Sequence, residues 1–472
     1  MERRRCCLEA GIPESFPVVL SLFLMACSQV GTIKSIGIYL EDISWSLGTT
    51  STDIGIALGL FTAFSYFPAP LIVALYRLKA IRRIMLICGA CLISLGVILT
   101  ALAPNNVMIA VFLALAGIGH CLLAISLTIA LDQLADKKNF DILYGVGMSG
   151  FGFGMVLLPY LADIFGKLYG WRSGLLMLGG LMANLIPCVV SIRVNKSTIE
   201  DMSRDHCKNI DDFLENRPAD QRFYDCLTTS DEDVTPLCRA RSSVSSSYHQ
   251  PTHTSAVNQI RDQLHQQNQT LKQLLDNIRH SSFYKDPSVN IMFIVAILDG
   301  LVYCGWHAFL VPRAIQRGYS IDATIVMTLF ASLGNFFARL LSGALSGRLS
   351  NPIFLYIGVT LVNASALLCD VFIHQYYAMF VTACVSAIGI AGVSILGPLV
   401  VRRRVCAENF DIAYAIFELC FGSGTFIGGC LSGIVGGHFA SYDASFTLLA
   451  GVELVVCLLM LPILLMKQPN HK

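Results

Sequence analysis

The sequence has little charge for its length. Of its 472 residues, 14% are Asp, Glu, Lys or Arg, whereas soluble globular domains carry roughly 25%. Hydrophobic residues make up 54% of the chain, and the mean hydropathy is +0.63. The formal net charge of +1 gives no excess of basic residues of the kind that attracts nucleic acid. This composition excludes an ordinary soluble protein and predicts that most of the chain lies in a lipid bilayer.

The sequence also lacks catalytic and metal-binding patterns in a suitable context. The stretch Gly145–Gly150 has the spacing G-x-G-x-x-G, but a dinucleotide site needs that spacing after a strand in a soluble βαβ unit. Here the glycines lie in an apolar segment, where small residues favour close helix packing. Cys88 and Cys91 form a C-x-x-C with no second ligand pair. We therefore expect no enzyme activity, no cofactor and no metal site.

Apolar segments of the length that an α-helix needs to cross a bilayer, about 20 residues, recur along the chain. Six precede a hydrophilic central region and six follow it. The predicted spans are Phe16–Tyr39, Asp53–Tyr76, Ile84–Leu102, Val107–Leu131, Ile142–Phe165, Ser173–Val194, Ile291–Pro312, Thr324–Gly347, Pro352–Phe372, Tyr377–Val400, Ile412–Gly436 and Ser445–Met466. The predicted fold class is an all-α membrane protein with twelve transmembrane helices in two six-helix halves, the organisation of the major facilitator fold.

These spans divide the chain into five predicted parts. They are an N-terminal segment (1–15), a first six-helix half (16–194), a central loop (195–289), a second six-helix half (290–466) and a C-terminal segment (467–472). The central loop is rich in Asp, Glu, Ser and Gln, which is typical of a largely disordered region. Apolar residues recur at helical spacing between Val257 and Ile278, which predicts an amphipathic helix there.

The basic residues predict the orientation of the spans. Positive charges favour the cytoplasmic side of a membrane. With the N-terminus inside, four basic residues lie in outer loops, namely Lys167, Arg172, Arg313 and Arg317. Leaving out the central loop, fifteen lie at inner ends, namely Arg3, Arg4, Arg5, Arg77, Lys79, Arg82, Arg83, Lys137, Lys138, Arg348, Arg402, Arg403, Arg404, Lys467 and Lys472. Both termini are therefore predicted to be cytoplasmic.

Two basic residues lie within predicted spans and away from their cytoplasmic ends, Arg339 near the middle of the eighth and Lys34 towards the outer end of the first. Arginine at the bilayer centre costs roughly 3 kcal/mol or more on insertion scales, so it faces protein or a water-filled cavity. Arg339 is either a structural residue paired to a neighbouring helix or part of a ligand site. Lys34 either extends to the membrane surface or faces a central cavity. Two cations on opposite halves favour an anionic ligand, because arginine holds a carboxylate bidentately.

Acidic residues within the spans are candidates for carrying a proton. Glu418 in the eleventh span and Asp299 in the seventh are the two foremost candidates. An acid buried in a membrane segment marks either an ion or proton pathway or a structural pairing. The other polar candidates within spans are His120, Asp132, Asp163, His307 and Glu453.

Four motifs resemble those of the monocarboxylate transporter family, solute carrier family 16, of the major facilitator superfamily. GVGMSGFGFG (Gly145–Gly154) resembles GLAMAGSPVG in the family's fifth helix, and GWRSGLLMLGGLMAN (Gly170–Asn184) is similar to GWRGxFLIxGGLxLN in its sixth. KSIGIYLEDI (Lys34–Ile43) resembles KSxxVFFxE in the first helix. FFAR (Phe336–Arg339) is similar to the eighth-helix sequence that ends in the family's carboxylate-pairing arginine.

This resemblance implies transport of a small monocarboxylate or related carboxylate-bearing metabolite across the plasma membrane by alternating access. The substrate-binding residues that it implies are Arg339, Lys34 and Asn335. The expected partners are a small-molecule carboxylate and the lipid bilayer, with a single-span accessory membrane protein left open and no nucleic acid. The alternative is a non-transporting receptor or scaffold that retains the fold.

Two departures from the family's pattern bear on mechanism. The family's N-terminal D-G-G-W-G-W is replaced by GIPESFP (Gly11–Pro17), and Asn335 stands where lactate-type members have an aspartate that is taken to couple proton movement. An amide cannot titrate. The sequence therefore predicts transport with weak pH dependence, unless Glu418 or Asp299 carries the proton instead.

The orientation is tested by epitope tags placed in three loops. A tag at residue 230 should bind antibody only after cells are permeabilised, because the central loop is predicted to be cytoplasmic. Tags at residues 105 and 318 should bind antibody on intact cells. Antibody binding to the tag at residue 230 on intact cells would contradict the model of twelve spans with both termini inside.

Overall fold

The computed structural model describes residues 15–78, 81–135, 139–192, 286–349, 351–406, 409–439 and 441–466. The chain termini and the amphipathic helix predicted between Val257 and Ile278 lie outside these residues. The regular secondary structure of the described residues is helical, in agreement with the predicted all-α class.

Nine helices lie in the described part of the first half. They are α1 (Ser15–Ile38), α2 (Leu40–Leu47), α3 (Ser51–Phe64), α4 (Ala69–Tyr76), α5 (Arg82–Leu102), α6 (Asn106–Leu134), α7 (Phe140–Met148), α8 (Gly150–Met182) and α9 (Leu185–Val190). The described part of the second half contains six longer helices. They are α10 (Pro287–Gln316), α11 (Ile321–Arg348), α12 (Ile353–Phe372), α13 (Tyr376–Arg404), α14 (Phe410–His438) and α15 (Tyr442–Leu465).

Eleven segments of the described chain are long and apolar enough to cross a membrane. One of them, Phe140–Val190, has 51 residues, which at 1.5 Å per residue would be about 76 Å long, more than twice the hydrocarbon core. Gly170 interrupts this segment with a φ of 78°, a conformation that glycine adopts without steric cost. The segment therefore supplies two of the twelve predicted crossings, one before and one after Gly170.

Proline interrupts two spans that the sequence pattern predicts as continuous. Pro68 has no N–H to donate to the carbonyl of Phe64, and α3 ends at Phe64 before α4 resumes. Pro187 likewise cannot donate to the carbonyl of Ala183, where α8 gives way to α9. The Ala183 carbonyl instead accepts from the Ile186 N–H, at 3.0 Å. Each break preserves the overall direction of the span, so the number of crossings is unchanged.

The backbones of the two halves approach each other closely where α7 and α8 meet α11. A Cβ atom added at Gly145 would lie 2.8 Å from the Arg339 carbonyl oxygen and 3.0 Å from the Cα of Gly343. One added at Gly152 would lie 2.5 Å from the Phe336 backbone nitrogen. These neighbours are backbone atoms of another helix, which cannot yield as a flexible side chain does. The glycines of the GVGMSGFGFG motif therefore set the distance between the halves beside Arg339.

This close approach predicts the effect of adding one methyl group. Gly145→Ala should destabilise the purified protein by about 1–3 kcal/mol, since overpacking forces the helices apart. Gly180→Ala is the matched control, because a Cβ at Gly180 meets no atom within 4 Å. Thermal unfolding in detergent should show a lower Tm for Gly145→Ala alone. Equal Tm values for the two variants would contradict the close packing.

Candidate functional site

A cavity of about 630 Å³ lies between the two halves. Both halves contribute residues, including Gln29, Tyr66 and Tyr144 from the first and Tyr303, Arg339, Tyr414 and Glu418 from the second. Its walls also include Met25, Met148, Phe151, Phe417 and Phe421. This mixture of apolar surface with a few polar groups is typical of a small-molecule site.

Arg339 reaches this cavity from the middle of α11 and is 2% exposed. Its Nε donates a hydrogen bond to the Asn335 side-chain oxygen, at 2.9 Å. Its guanidinium carbon lies 4.6 Å from the centre of the Phe151 ring, within cation–π distance. No carboxylate in the described part of the chain forms an ion pair with Arg339. The structure thus gives this buried cation a neutral amide and an aromatic face as its neighbours.

Three tyrosine side chains share the cavity of the Arg339 guanidinium. Tyr66, Tyr144 and Tyr303 lie within its electrostatic reach, and all three line the same cavity. A phenolic hydroxyl can donate a hydrogen bond to an anion. The cavity therefore combines a fixed positive charge with hydroxyl groups from both halves.

Lys34 lines a different cavity from Arg339. This second space, of about 330 Å³, is bordered by Lys34, Trp306, His307 and Asn335 among others. Lys34 is half-buried, and its ammonium group lies within electrostatic range of the His307 ring. Asn335 connects the two predicted cations, because its oxygen accepts from Arg339 and its side chain borders the Lys34 cavity. The Asn335 side-chain nitrogen is buried without a hydrogen-bond partner.

Asp299 and Glu418 both line the Arg339 cavity, and neither pairs with the arginine. Asp299, on α10, accepts a hydrogen bond from the Tyr356 hydroxyl on α12. Glu418, on α14, is half-buried and lies one helical turn from Tyr414, which interacts with it. The structure brings Arg339, Asn335, Asp299 and Glu418 to one region and places Lys34 beyond Asn335.

Three ion pairs join the two halves at the end of the bundle where α1 begins. Arg77, just after α4, binds Asp411 at the start of α14 through two nitrogens, each at 2.8 Å. The other two pairs bind Arg402 to Asp132 at 2.5 Å and Arg403 to Asp141 at 2.6 Å. In each pair one residue belongs to the first half and the other to the second. These contacts hold the two halves together at this end of the bundle, the closed end.

The charges at the opposite end make contacts of a different kind. Arg313 and Arg317 of α10 bind Asp370 at the end of α12. Both arginines also contact Asp443 at the start of α15, at 2.8 and 2.9 Å. All four residues belong to the second half. Among the described residues, ion pairs between the halves therefore occur at the end where α1 begins.

No sequence motif predicts the tyrosines near Arg339 or the partners of the inter-half ion pairs. Tyr66, Tyr144 and Tyr303 are spread over three segments that no motif links. Arg402 and Arg403 were used only for orientation, although opposite charges at the inner ends of both halves were a usable signal. Asp132 was noted only as a polar residue within a span.

Comparison with known proteins gives a family and several relatives. The family profile described as Major Facilitator Superfamily matches residues 21–369 and 289–472. Monocarboxylate transporter 14 of Mus musculus is 22% identical over 471 residues, covering 91% of this chain and 86% of that protein. Monocarboxylate transporter 1 of Homo sapiens is 27% identical over 169 residues, covering 35% of this chain and 33% of that protein. These relatives confirm the resemblance that the motifs predicted.

Other alignments are shorter. Monocarboxylate transporter 12-B of Danio rerio is 32% identical over 112 residues, 24% of this chain and 23% of that protein. For the human transporter 1 and this fish protein, the matched regions therefore span only about a third and a quarter of the relatives' length.

Solved structures share the fold at low sequence identity. The human organic anion transporter MFSD10 (TETRAN) has a TM-score of 0.63 and 13% identity, covering 95% of this chain and all of that one (100%). The transporter FucP in the outward conformation has a TM-score of 0.60 and 13% identity, covering 95% of this chain and 99% of that one. These likenesses confirm the predicted all-α major facilitator fold.

The inter-half ion pairs predict the result of a charge exchange. Asp132→Arg should place two positive charges together and loosen the closed end, increasing amide hydrogen exchange in the last turns of α6 and α13. Combining Asp132→Arg with Arg402→Asp should restore protection, because the pair is reversed. The control reverses the exposed pair Asp163–Lys167, for which little change is expected at either step. Equal exchange in the Asp132→Arg single variant and the double variant would contradict the pairing.

Proposed function

Because the chain belongs to the major facilitator superfamily, we propose that it carries a small monocarboxylate, or a related carboxylate-bearing metabolite, across the plasma membrane by alternating access. Its relatives are transporters, so the protein is a membrane transporter and not an enzyme. The substrate class, the membrane and the mode of movement are the proposed parts. The observation that carries the proposal is the Arg339 guanidinium, buried between the halves without a carboxylate partner in the described chain.

A buried charge is stable only when an opposite charge or several dipoles compensate for its lost hydration. Asn335 supplies one amide dipole to Arg339, and an amide brings no charge. A substrate carboxylate would supply the missing negative charge and match the planar fork of the guanidinium in two parallel hydrogen bonds. This need for an anion is the physical reason for proposing a carboxylate as the substrate.

The remaining walls of the cavity fit the rest of such a substrate. Phe151, Phe417 and Phe421 offer aromatic faces for an apolar substrate body, and Tyr66 and Tyr303 offer hydroxyls. The site is therefore suited to an organic acid with an apolar portion. The description of the structural relative MFSD10 as an organic anion transporter agrees with this substrate class.

We assign Lys34 to the path by which the carboxylate reaches Arg339. Lys34 lies near the end of α1 that is opposite the inter-half ion pairs, and its cavity borders Asn335. An anion attracted to this half-buried ammonium would be separated from the Arg339 site by the Asn335 side chain. Lys34 thus assists from the first half, and Asn335 lies at the passage between the two cations.

Alternating access requires the closed end to open. Rocking of one half against the other would separate Arg77, Arg402 and Arg403 from their acidic partners and expose the cavity on that side, which we assign to the cytoplasm. The close approach of Gly145 to Arg339 and Gly343 places the moving interface next to the substrate site. A scaffold that bound no ligand would gain nothing from a buried cation that has no carboxylate partner in the described chain, and this favours the carrier over that alternative.

The Arg339 site is tested by uptake of labelled carboxylates into cells that express the protein, compared with empty-vector cells. Arg339→Lys keeps the charge but loses the planar fork, so uptake should fall roughly tenfold or more, and Arg339→Ala should lose more. Surface expression should be unchanged. Arg348→Ala is the matched control, because Arg348 is exposed at the end of the same helix. Normal uptake by Arg339→Ala would show that Arg339 does not bind the substrate.

A further inference from the structure

A second acidic residue, Glu453, lies close to Asp299 in the second half. Asp299 is 7% exposed and Glu453 is 3% exposed. Both line a small cavity of about 230 Å³, and they lie within electrostatic reach of each other. Asp299 also lines the Arg339 cavity. Asp299 therefore lies between the Arg339 cavity and the smaller cavity that Glu453 also lines.

The hydrogen bonds of the pair leave one oxygen open. Asp299 accepts from the Tyr356 hydroxyl, and Glu453 Oε1 accepts from the Asn363 side-chain nitrogen at 2.5 Å. Glu453 Oε2 is buried and has no hydrogen-bond partner. An unsatisfied carboxylate oxygen in a buried site is costly. A bound proton would neutralise the carboxylate and so reduce the free-energy cost of burying it.

No basic residue balances the pair among the residues that the structure describes. The titratable groups facing it are Tyr356 from α12, Tyr303 on α10 and Cys457 on α15, none of which is a cation. Glu418 on α14 and Arg339 on α11 face Asp299 only across the central cavity, and α13 contributes Ile390, Val393 and Ser394. Two carboxylates that share a buried site cannot both remain ionised without a counter-charge.

We propose that Asp299 and Glu453 together form the proton-binding site of this carrier, which rests on the proposed function for its role in transport. The pair takes one proton from water, forming one O–H bond on a carboxylate oxygen, and releases the same proton to water when that bond breaks. Asn335 cannot do this because an amide does not titrate. Of the two alternatives that the sequence leaves open, the proposal selects the one in which Asp299 carries the proton. Glu453 is added as its partner, and transport is then expected to depend on pH.

The pair is a better candidate than Glu418, the other acid predicted to carry a proton. Glu418 is half-buried and interacts with Tyr414, and no carboxylate of the described chain is paired with it. Asp299 and Glu453 are both almost fully buried, and they constrain each other's ionisation. Since Asp299 faces the cavity that contains Arg339, the charge of the pair acts on the site where a substrate anion would bind.

The test uses the proton itself as the probe and needs no substrate. Infrared difference spectra of purified protein, recorded between mildly acidic and mildly alkaline buffers, should contain the C=O band of a protonated carboxyl group. Glu453→Gln and Asp299→Asn should each alter this band. The pH midpoint of the remaining carboxyl in Asp299→Asn should differ from that of the wild type, because the two groups titrate as a pair. Glu418→Gln is the matched control and should retain the wild-type titration of the pair.

Two results would overturn the proposal. The first is a Glu453→Gln spectrum that matches the wild type, which would mean that Glu453 binds no proton. The second is an unchanged midpoint in Asp299→Asn, which would mean that the two carboxyls do not interact. Tm values close to the wild type establish that the variants are folded. The infrared titration uses no carboxylate substrate, so its result does not depend on whether the protein transports one. A failure of the proton-site proposal can therefore be told apart from a failure of the proposed transport function.

Discussion

The burial of the Arg339 guanidinium is the constraint on which the rest of the site depends. Arginine keeps its proton in proteins, so the charge remains wherever the helix places it. In the described chain its neighbours are the Asn335 amide, the Phe151 ring and the hydroxyls of Tyr66, Tyr144 and Tyr303. Neutral groups reduce the cost of the charge without cancelling it. This arrangement favours a site that an anion completes over a structural ion pair.

The same region is where the two halves are pressed together. Gly145 packs against the backbone of Arg339, so the proposed substrate site and the interface that would move in transport share one helix. At the end where α1 begins, Arg77, Arg402 and Arg403 bind acids of the opposite half. Because each pair joins one half to the other, all three must separate and re-form as the halves rock. The glycine packing brings the backbones of the two halves close together. The ion pairs join the halves through side chains that can separate when the interface opens.

Much of the fold could be predicted from hydropathy, because each crossing needs about 20 apolar residues. The breaks at Pro68 and Pro187 were not predicted, since proline in an apolar run does not by itself end a span. Arg339 could be found because charge is rare in the membrane, and Asp299 for the same reason. The pairing of Asp299 with Glu453 could not be predicted, because the two residues are far apart in sequence and meet only when α10 packs against α15. The separation of Lys34 from Arg339 likewise depends on helix packing.

The central claim, that Arg339 is the binding site for a carboxylate, is tested most directly by ligand-induced stabilisation of the purified protein. Each member of a panel of small carboxylic acids is compared with its uncharged amide, since a ligand that binds the folded state raises the Tm by mass action. At least one carboxylate should raise the Tm of the wild type while its amide does not, and Arg339→Lys should lose most of that rise. Equal stabilisation by a carboxylate and its amide, or an equal response of wild type and Arg339→Lys, would contradict the claim.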